Sequence, residues 1–191
     1  MSISVLGVIL AGGQASRMKY VAKGLTRYKD RPLIEYALKS FETLADHTLI
    51  NANKDIKAYQ NFGVKVFTDQ ADYLDKGPLS GVLASLLQAQ ALSVSHVLIS
   101  PCDTPLVTQA VFERLKLAAE QEPESVFYIE SDSGIQPLHA ILPVAGVADK
   151  LKQYLKSEAR VMFFYRQLGA KAVYWQDESA FLNINYLEQL D

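Results

Sequence analysis

An α/β fold, a single Rossmann-like three-layer domain around a mostly parallel central sheet, is what three features of the sequence predict. Short apolar runs alternate with helical segments through roughly the first hundred residues, the pattern of parallel strands joined by right-handed crossovers. The opening run, Val5 to Leu10, has no polar alternation and reads as a strand buried on both faces. Each early run also ends on glycine, asparagine or aspartate, residue types suited to a ligand site at the carboxyl edge of such a sheet.

Taken in order, the first strand stops at Gly12-Gly13, where a missing Cβ permits positive φ and close backbone approach. Arg31-Pro32-Leu33 marks a helix start, with proline where its lost N–H costs nothing. Leu33, Ala37, Phe41 and Leu44 follow at helical spacing. The strand His47 to Ile50 ends at Asn51-Ala52-Asn53, and a helix from Asp55 to Gln60 leads to the strand Val64 to Phe67. A loop from Gln70 to Gly81, with the turn Gly77-Pro78, precedes a helix from Val82 to Ala91. The strand His96 to Ser100 ends at Pro101-Cys102-Asp103.

The later chain is less regular. It reads as a helix Val111 to Glu122 with Thr108 at its cap, strands Val126 to Ile129 and Leu138 to Leu142 around a turn at Gly134, and helices near Val147 to Lys156 and Arg160 to Leu168. A strand Lys171 to Trp175 and an extended piece Ala180 to Asn185 close it.

Composition narrows the function. A chain of 191 residues suits one well-buried α/β domain, and no linker, repeat or low-complexity stretch divides it. Net charge is −2 with no Lys/Arg block, so no nucleic-acid partner is expected. One cysteine, Cys102, cannot form an intramolecular disulfide, and no apolar run reaches the ~18 residues of a membrane span. The expectation is a soluble cytoplasmic protein with no membrane partner.

Strand, glycine turn, then the cations Arg17 and Lys23 is a recipe for holding phosphates; a tight turn with solvated side chains is the competing reading. A Walker loop is absent because Gly24 follows Lys23, and the dinucleotide fingerprint lacks its spaced glycines, which disfavours an ATPase or nicotinamide enzyme. Gly12-Gly13, Asn51, Asp69 and Asp103 end the four early strands, so a parallel sheet brings them to one crevice. Asp103 leaves a buried strand beside the phosphate loop, and Mg²⁺ favours one or two carboxylates plus substrate phosphates. Asp69 is open to a turn role as well. His47, His96 and His139 sit at strand starts or inside a strand, away from this edge, and read as structural. No His accompanies Cys102 at a recognisable spacing, so nucleophilic hydrolysis has no support.

The stretch Leu10-Ala11-Gly12-Gly13-Gln14-Ala15-Ser16-Arg17-Met18 resembles the signature loop of nucleotidyltransferases related to nucleoside-diphosphate-sugar pyrophosphorylases. Within that superfamily the chain is most similar to the molybdenum cofactor guanylyltransferases. The likeness continues through Lys23-Gly24-Leu25, Asn51-Ala52-Asn53, Gly77-Pro78-Leu79-Ser80-Gly81, Pro101-Cys102-Asp103-Thr104-Pro105 and Asn183-Ile184-Asn185. The resemblance implies a nucleotide-diphospho-sugar transferase-like fold and transfer of GMP from GTP to the phosphate of molybdenum-molybdopterin, with Mg²⁺ as cofactor and pyrophosphate released. It also implies molybdoenzymes or their chaperones as downstream partners. It assigns GTP binding to Leu10, Ala11, Gly12, Gly13, Lys23, Asn51, Asp69 and Asp103, and the metal to Asp103 and Asn185.

On that resemblance residues 1–110 hold the nucleotide and residues 111–191 the acceptor. Gly12-Gly13 N–H groups, Arg17 and Lys23 would take the β,γ-phosphates, with Lys23, Asp103 and Arg17 as the catalytic set. Asn51 and Asp69 would hold the nucleoside; Gln136-Pro137-Leu138-His139 and Arg160-Val161-Met162 would line the acceptor pocket. The acceptor, a phosphate monoester, already carries about −1.5 to −2 charge and needs no base. Two departures stand out: Lys19 follows Met18 where the family has Gly, and Ala22 precedes Lys23 where it has Asp. The missing Asp removes a neighbour that could orient Lys23, while Lys19 could add a phosphate contact. Two further readings stay open: a cytidylyl- or other nucleotidyltransferase acting on molybdopterin or a sugar or alcohol phosphate, and a non-catalytic nucleotide or molybdopterin binder. The Gly-Gly, Gly-Pro-Leu-Ser-Gly and Pro-Cys-Asp-Thr-Pro motifs resemble the guanylyl branch more than the cytidylyl one.

Overall fold

The computed structural model describes residues 2–12 and 22–184. Its strands are β1 (Val5–Leu10), β2 (Arg27–Tyr28), β3 (Arg31–Pro32), β4 (His47–Asn51), β5 (Lys65–Phe67), β6 (His96–Pro101), β7 (Phe127–Ser131), β8 (Gly134–Pro143) and β9 (Lys171–Trp175). Its α-helices are α1 (Leu33–Ser40), α2 (Ile56–Gln60), α3 (Pro78–Ala91), α4 (Gln109–Gln121), α5 (Val147–Tyr154) and α6 (Val161–Gln167). Seven strands form one sheet in the order β5-β4-β1-β6-β8-β7-β9, while β2 and β3 make a small antiparallel ribbon. The pairs β4–β5, β1–β4, β1–β6 and β7–β9 are parallel, and β8 runs against both its neighbours.

Both faces of the sheet are covered, which is why its central strands carry no polar alternation. Alternate residues of β1 point opposite ways: Leu6 and Val8 join a core with α3 and α5, whereas Val5 and Ile9 join one with α1 and α4. Gly7 is required by the second layer, because a Cβ there would sit 2.8 Å from the Phe41 ring. The chain leaves β1 for β4 and β5 on one side, then crosses to β6 on the other, so the strand order reverses between β1 and β6.

Several boundaries differ from the sequence reading. α3 starts at Pro78 rather than Val82: Gly77 takes φ 63°, and proline enters the first turn with its φ already helical. Arg31 and Pro32 pair with Arg27 and Tyr28, so the helix begins one residue later, at Leu33. α1 ends at Ser40, yet Phe41 and Leu44 beyond it remain buried. β8 extends to ten residues because it lies between two strands and pairs on both edges. Thr108 is the cap residue of α4, although its hydroxyl makes no capping bond.

Candidate functional site

The rim at the reversal in strand order collects most of the predicted residues. Leu10 pairs with Pro101, so the chain beyond β1 and the chain beyond β6 leave the sheet side by side. The Ala11 N–H donates to the Asn51 carbonyl at 2.8 Å, and the Cys102 N–H to the Leu10 carbonyl at 3.3 Å, carrying the ladder one step past the strands.

The charged centre of the rim is the pair Lys23–Asp103, with Nζ 2.5 Å from Oδ2 and both side chains mostly buried. Lys23 Nζ also donates to Asn183 Oδ1 at 3.3 Å. These partners orient Lys23 where an Asp at position 22 is missing; Ala22 instead packs its methyl group against the apolar layer below. Lys23 stands in a single 3₁₀ turn, Lys23–Leu25. The Asp103 carbonyl accepts from the Ile184 N–H at 2.8 Å. Next to it, Thr104 Oγ1 and His139 Nε2 share a hydrogen bond at 3.0 Å.

Asp103 Oδ1 is buried and has no hydrogen-bond partner among the described residues. An orphaned carboxylate oxygen costs free energy unless a ligand satisfies it, and hard cations bind such an oxygen. No cluster of three His, Cys, Asp or Glu occurs among the described residues. A single hard carboxylate oxygen beside a phosphate-binding rim is a donor that fits Mg²⁺.

A second cluster ends β4 and β5. Asn51 Nδ2 and Asn53 Nδ2 donate to the two oxygens of Asp69 at 2.9 and 2.8 Å, and the Asp69 N–H donates to Asn53 Oδ1 at 2.9 Å. Because Asp69 takes the Asn51 amino group, Asn51 Oδ1 is turned toward Gly12 and Gly81; a Cβ on Gly81 would lie 2.5 Å from it. α3 thus begins against Asn51 only because position 81 has no side chain.

Leu10, Ala11, Gly12, Lys23, Asn51, Asp69 and Asp103 thus lie at the ends of the four adjacent strands β5, β4, β1 and β6 and the turn beside them. Gly13, Arg17, Lys19 and Asn185 lie outside the described residues. Asn53 and Asn183 are contacts that the sequence reading did not assign; Asn53 shares a face with Asn51 because extended residues two apart point the same way. His139 needs two corrections. β8 runs antiparallel, and Ile99 pairs with Ala140, so His139 comes to the level of Ser100 at this rim rather than away from it. It is also 2% exposed, between the rings of Phe112 and Phe181, and so cannot line an acceptor pocket. Burial pulls its pKa down to about 3, which leaves the ring neutral and structural. Burial likewise pushes the Cys102 thiol up to about 12, so it is no nucleophile. His96 is buried and bonded through Nε2 to the Pro123 carbonyl, as a structural residue should be.

Pro137 and Leu138 do adjoin α6: Tyr165 Oη donates to the Pro137 carbonyl at 3.0 Å, and Leu138, Val161 and Met162 border one apolar cluster. A separate cavity of about 610 Å³ between α5 and α6, lined by Asp149, Tyr154, Phe164 and Leu168, shares no residue with the rim. No helix among the described residues is long and apolar enough to cross a membrane.

Residues 7–172 match the model of the MobA-like NTP transferase domain. The molybdenum cofactor guanylyltransferase of Ralstonia pickettii is 36% identical, covering 97% of this chain and 94% of its own length. That of Mannheimia succiniciproducens is 35% identical over 100% of this chain and 99% of its own. Among solved structures, molybdopterin-guanine dinucleotide biosynthesis protein A from Archaeoglobus fulgidus superposes with a TM-score of 0.74 at 20% identity, covering 97% of this chain and 94% of that one. The 4-diphosphocytidyl-2C-methyl-D-erythritol synthase of Anaerococcus prevotii has the same TM-score, 0.74, at 15% identity over 99% and 93% of the two chains, a likeness of fold alone. The chain is a nucleotidyltransferase and belongs to the MobA-like NTP transferases, in company with the molybdenum cofactor guanylyltransferases.

Proposed function

We propose that the chain transfers GMP from GTP to the phosphate of molybdenum-molybdopterin and releases pyrophosphate, in the cytoplasm and with Mg²⁺. The observation that carries this reading is the buried Oδ1 of Asp103, without a hydrogen-bond partner among the described residues and held beside a lysine at the rim where a parallel sheet binds nucleotides. An acceptor phosphate oxygen forms a new bond to the α-phosphorus as the bond to the β-phosphate oxygen breaks. The acceptor is already anionic, so no side chain has to remove a proton. That suits a rim whose nearest histidine is buried and neutral.

The work left to the protein is positioning and charge compensation. Gly12 and Gly13 would offer backbone N–H groups to the phosphates, and Arg17 and Lys23 would compensate the charge of the departing pyrophosphate. Asp103, with Asn185, would hold the Mg²⁺, which when bound supplies charge neutralisation on the α-phosphate and leaving group. Asn51 and Asp69, hydrogen-bonded to each other, would border the nucleoside at the ends of β4 and β5. The segment Gln136 to Leu138 and the start of α6 border the acceptor, whose product would pass to molybdoenzymes or their chaperones.

Pyrophosphate release tests this reading, measured with molybdenum-molybdopterin and each of GTP, CTP, ATP and UTP, with and without Mg²⁺. Release with GTP, acceptor and Mg²⁺ together is expected. Preference for CTP, or GTP binding with no pyrophosphate formed, would contradict it.

A further inference from the structure

Against the turn that carries Lys23 stands Tyr59, the buried residue of the short helix α2. Its side chain is 1% exposed, and its hydroxyl lies against the Gly24 backbone without a well-formed hydrogen bond among the described residues. The ring end presses on the turn that carries Lys23: a Cβ on Gly24 would lie 2.8 Å from Tyr59 Oη, 3.0 Å from Cε1 and 3.3 Å from Cζ. Gly24 does not have positive φ, so this contact, not backbone strain, is what demands glycine. On the other side, Cys102, the residue before Asp103, is buried in the same apolar cluster as Tyr59.

A phenylalanine would fill the ring volume without burying an unpaired hydroxyl, which is the less costly core residue. The costly atom sits against the turn that carries Lys23, with Cys102, the residue before Asp103, nearby. Proton transfer is not its use: burial raises the proton affinity of Tyr59, with the nearby Cys102 adding to it, so the phenol stays neutral. What remains is its length. A phenol is rigid, with two rotatable bonds, and Oη is its farthest atom.

We infer that Tyr59 is a positioning residue for the reaction, its hydroxyl end forming the stop on which the Lys23–Leu25 turn rests, so that Lys23 meets Asp103 and the phosphates at a fixed height. The inference rests on the reading of Lys23 and Asp103 as the reacting centre. Without Oη the turn can settle toward α2 and draw the ammonium group away from the leaving group.

The test is Tyr59→Phe, read by thermal unfolding and by pyrophosphate release with GTP, Mg²⁺ and acceptor. Loss of the unpaired hydroxyl leaves the unfolding midpoint unchanged or raises it. Loss of the stop lowers kcat/KM by about tenfold, mainly in kcat, because Lys23 acts on charge that grows in the transition state. Undiminished activity would overturn the inference, and so would an activity loss accompanied by a lower midpoint. A second pair of variants approaches the contact from the other side. Gly24→Ala should lose activity, and Gly24→Ala with Tyr59→Phe should recover part of it, the new methyl group replacing the lost hydroxyl as the spacer. A double variant no better than the product of the two single losses would count against the inference. If the parent protein releases no pyrophosphate, the functional reading has failed instead.

Discussion

Gly81→Ala sets two opposing terms against each other. In an ordinary helix the change gains about 1 kcal/mol of helical propensity. Here the new Cβ would lie 2.5 Å from Asn51 Oδ1 and 3.1 Å from Leu10 Cδ2, both in the packed wall of the rim. Overpacking of that kind costs about 1–3 kcal/mol. Asn51 is 2% exposed, and turning its amide aside breaks the bond to Asp69, which costs about another 1–3 kcal/mol. The clash wins, with a net loss of about 3 kcal/mol. Urea unfolding at neutral pH measures it, and thermal-shift titration with GTP on the same protein should show a weakened response. A variant stabilised by the propensity gain, with its GTP response intact, would refute the close packing of α3 on Asn51.

Two further outcomes follow from the rim. Lys23→Ala should lower kcat by about 10²–10³-fold and raise KM for GTP, since the ammonium acts on charge that develops as pyrophosphate leaves; steady-state pyrophosphate release checks this, and a change confined to KM would contradict it. The buried His139 should make the fold acid-sensitive. Its native pKa is depressed to about 3 against an unfolded value near 6.5, so below neutrality the unfolded chain binds the extra proton. Stability from this group is complete above about pH 6.5 and declines as pH falls toward 3, by about 2 kcal/mol at pH 5. Urea unfolding at pH 7 and pH 5 measures the slope, and His139→Gln should flatten it.

Much of this arrangement is legible in the residues. β1 and β6 are apolar without alternation because both faces are covered, and Asn51, Asp69 and Asp103 end up together because parallel strands finish on one edge. What escaped depended on partners distant in sequence. Nothing local marks β8 as antiparallel, and that reversal alone carries His139 to the rim and under Thr104. Proline at position 78 announced a turn, and only the φ of Gly77 made it a helix start. Tyr59 reads as an ordinary apolar residue of α2 until Gly24, far back along the chain, closes against it. Asn53 carried a signal that could have been used, its two-residue spacing from Asn51, whereas the contact between Asn183 and Lys23 spans nearly the whole chain.

The central claim is that Asp103 serves the transfer itself and is no mere partner for Lys23. Pyrophosphate release by Asp103→Ala, with GTP, Mg²⁺ and molybdenum-molybdopterin, tests this most directly, alongside an unfolding curve showing that the fold persists. A folded protein with activity reduced to a few per cent of the parent's or less, about the loss of one preorganised charge at a reacting centre, is the predicted result. A folded variant that keeps most of the parent's turnover would contradict it.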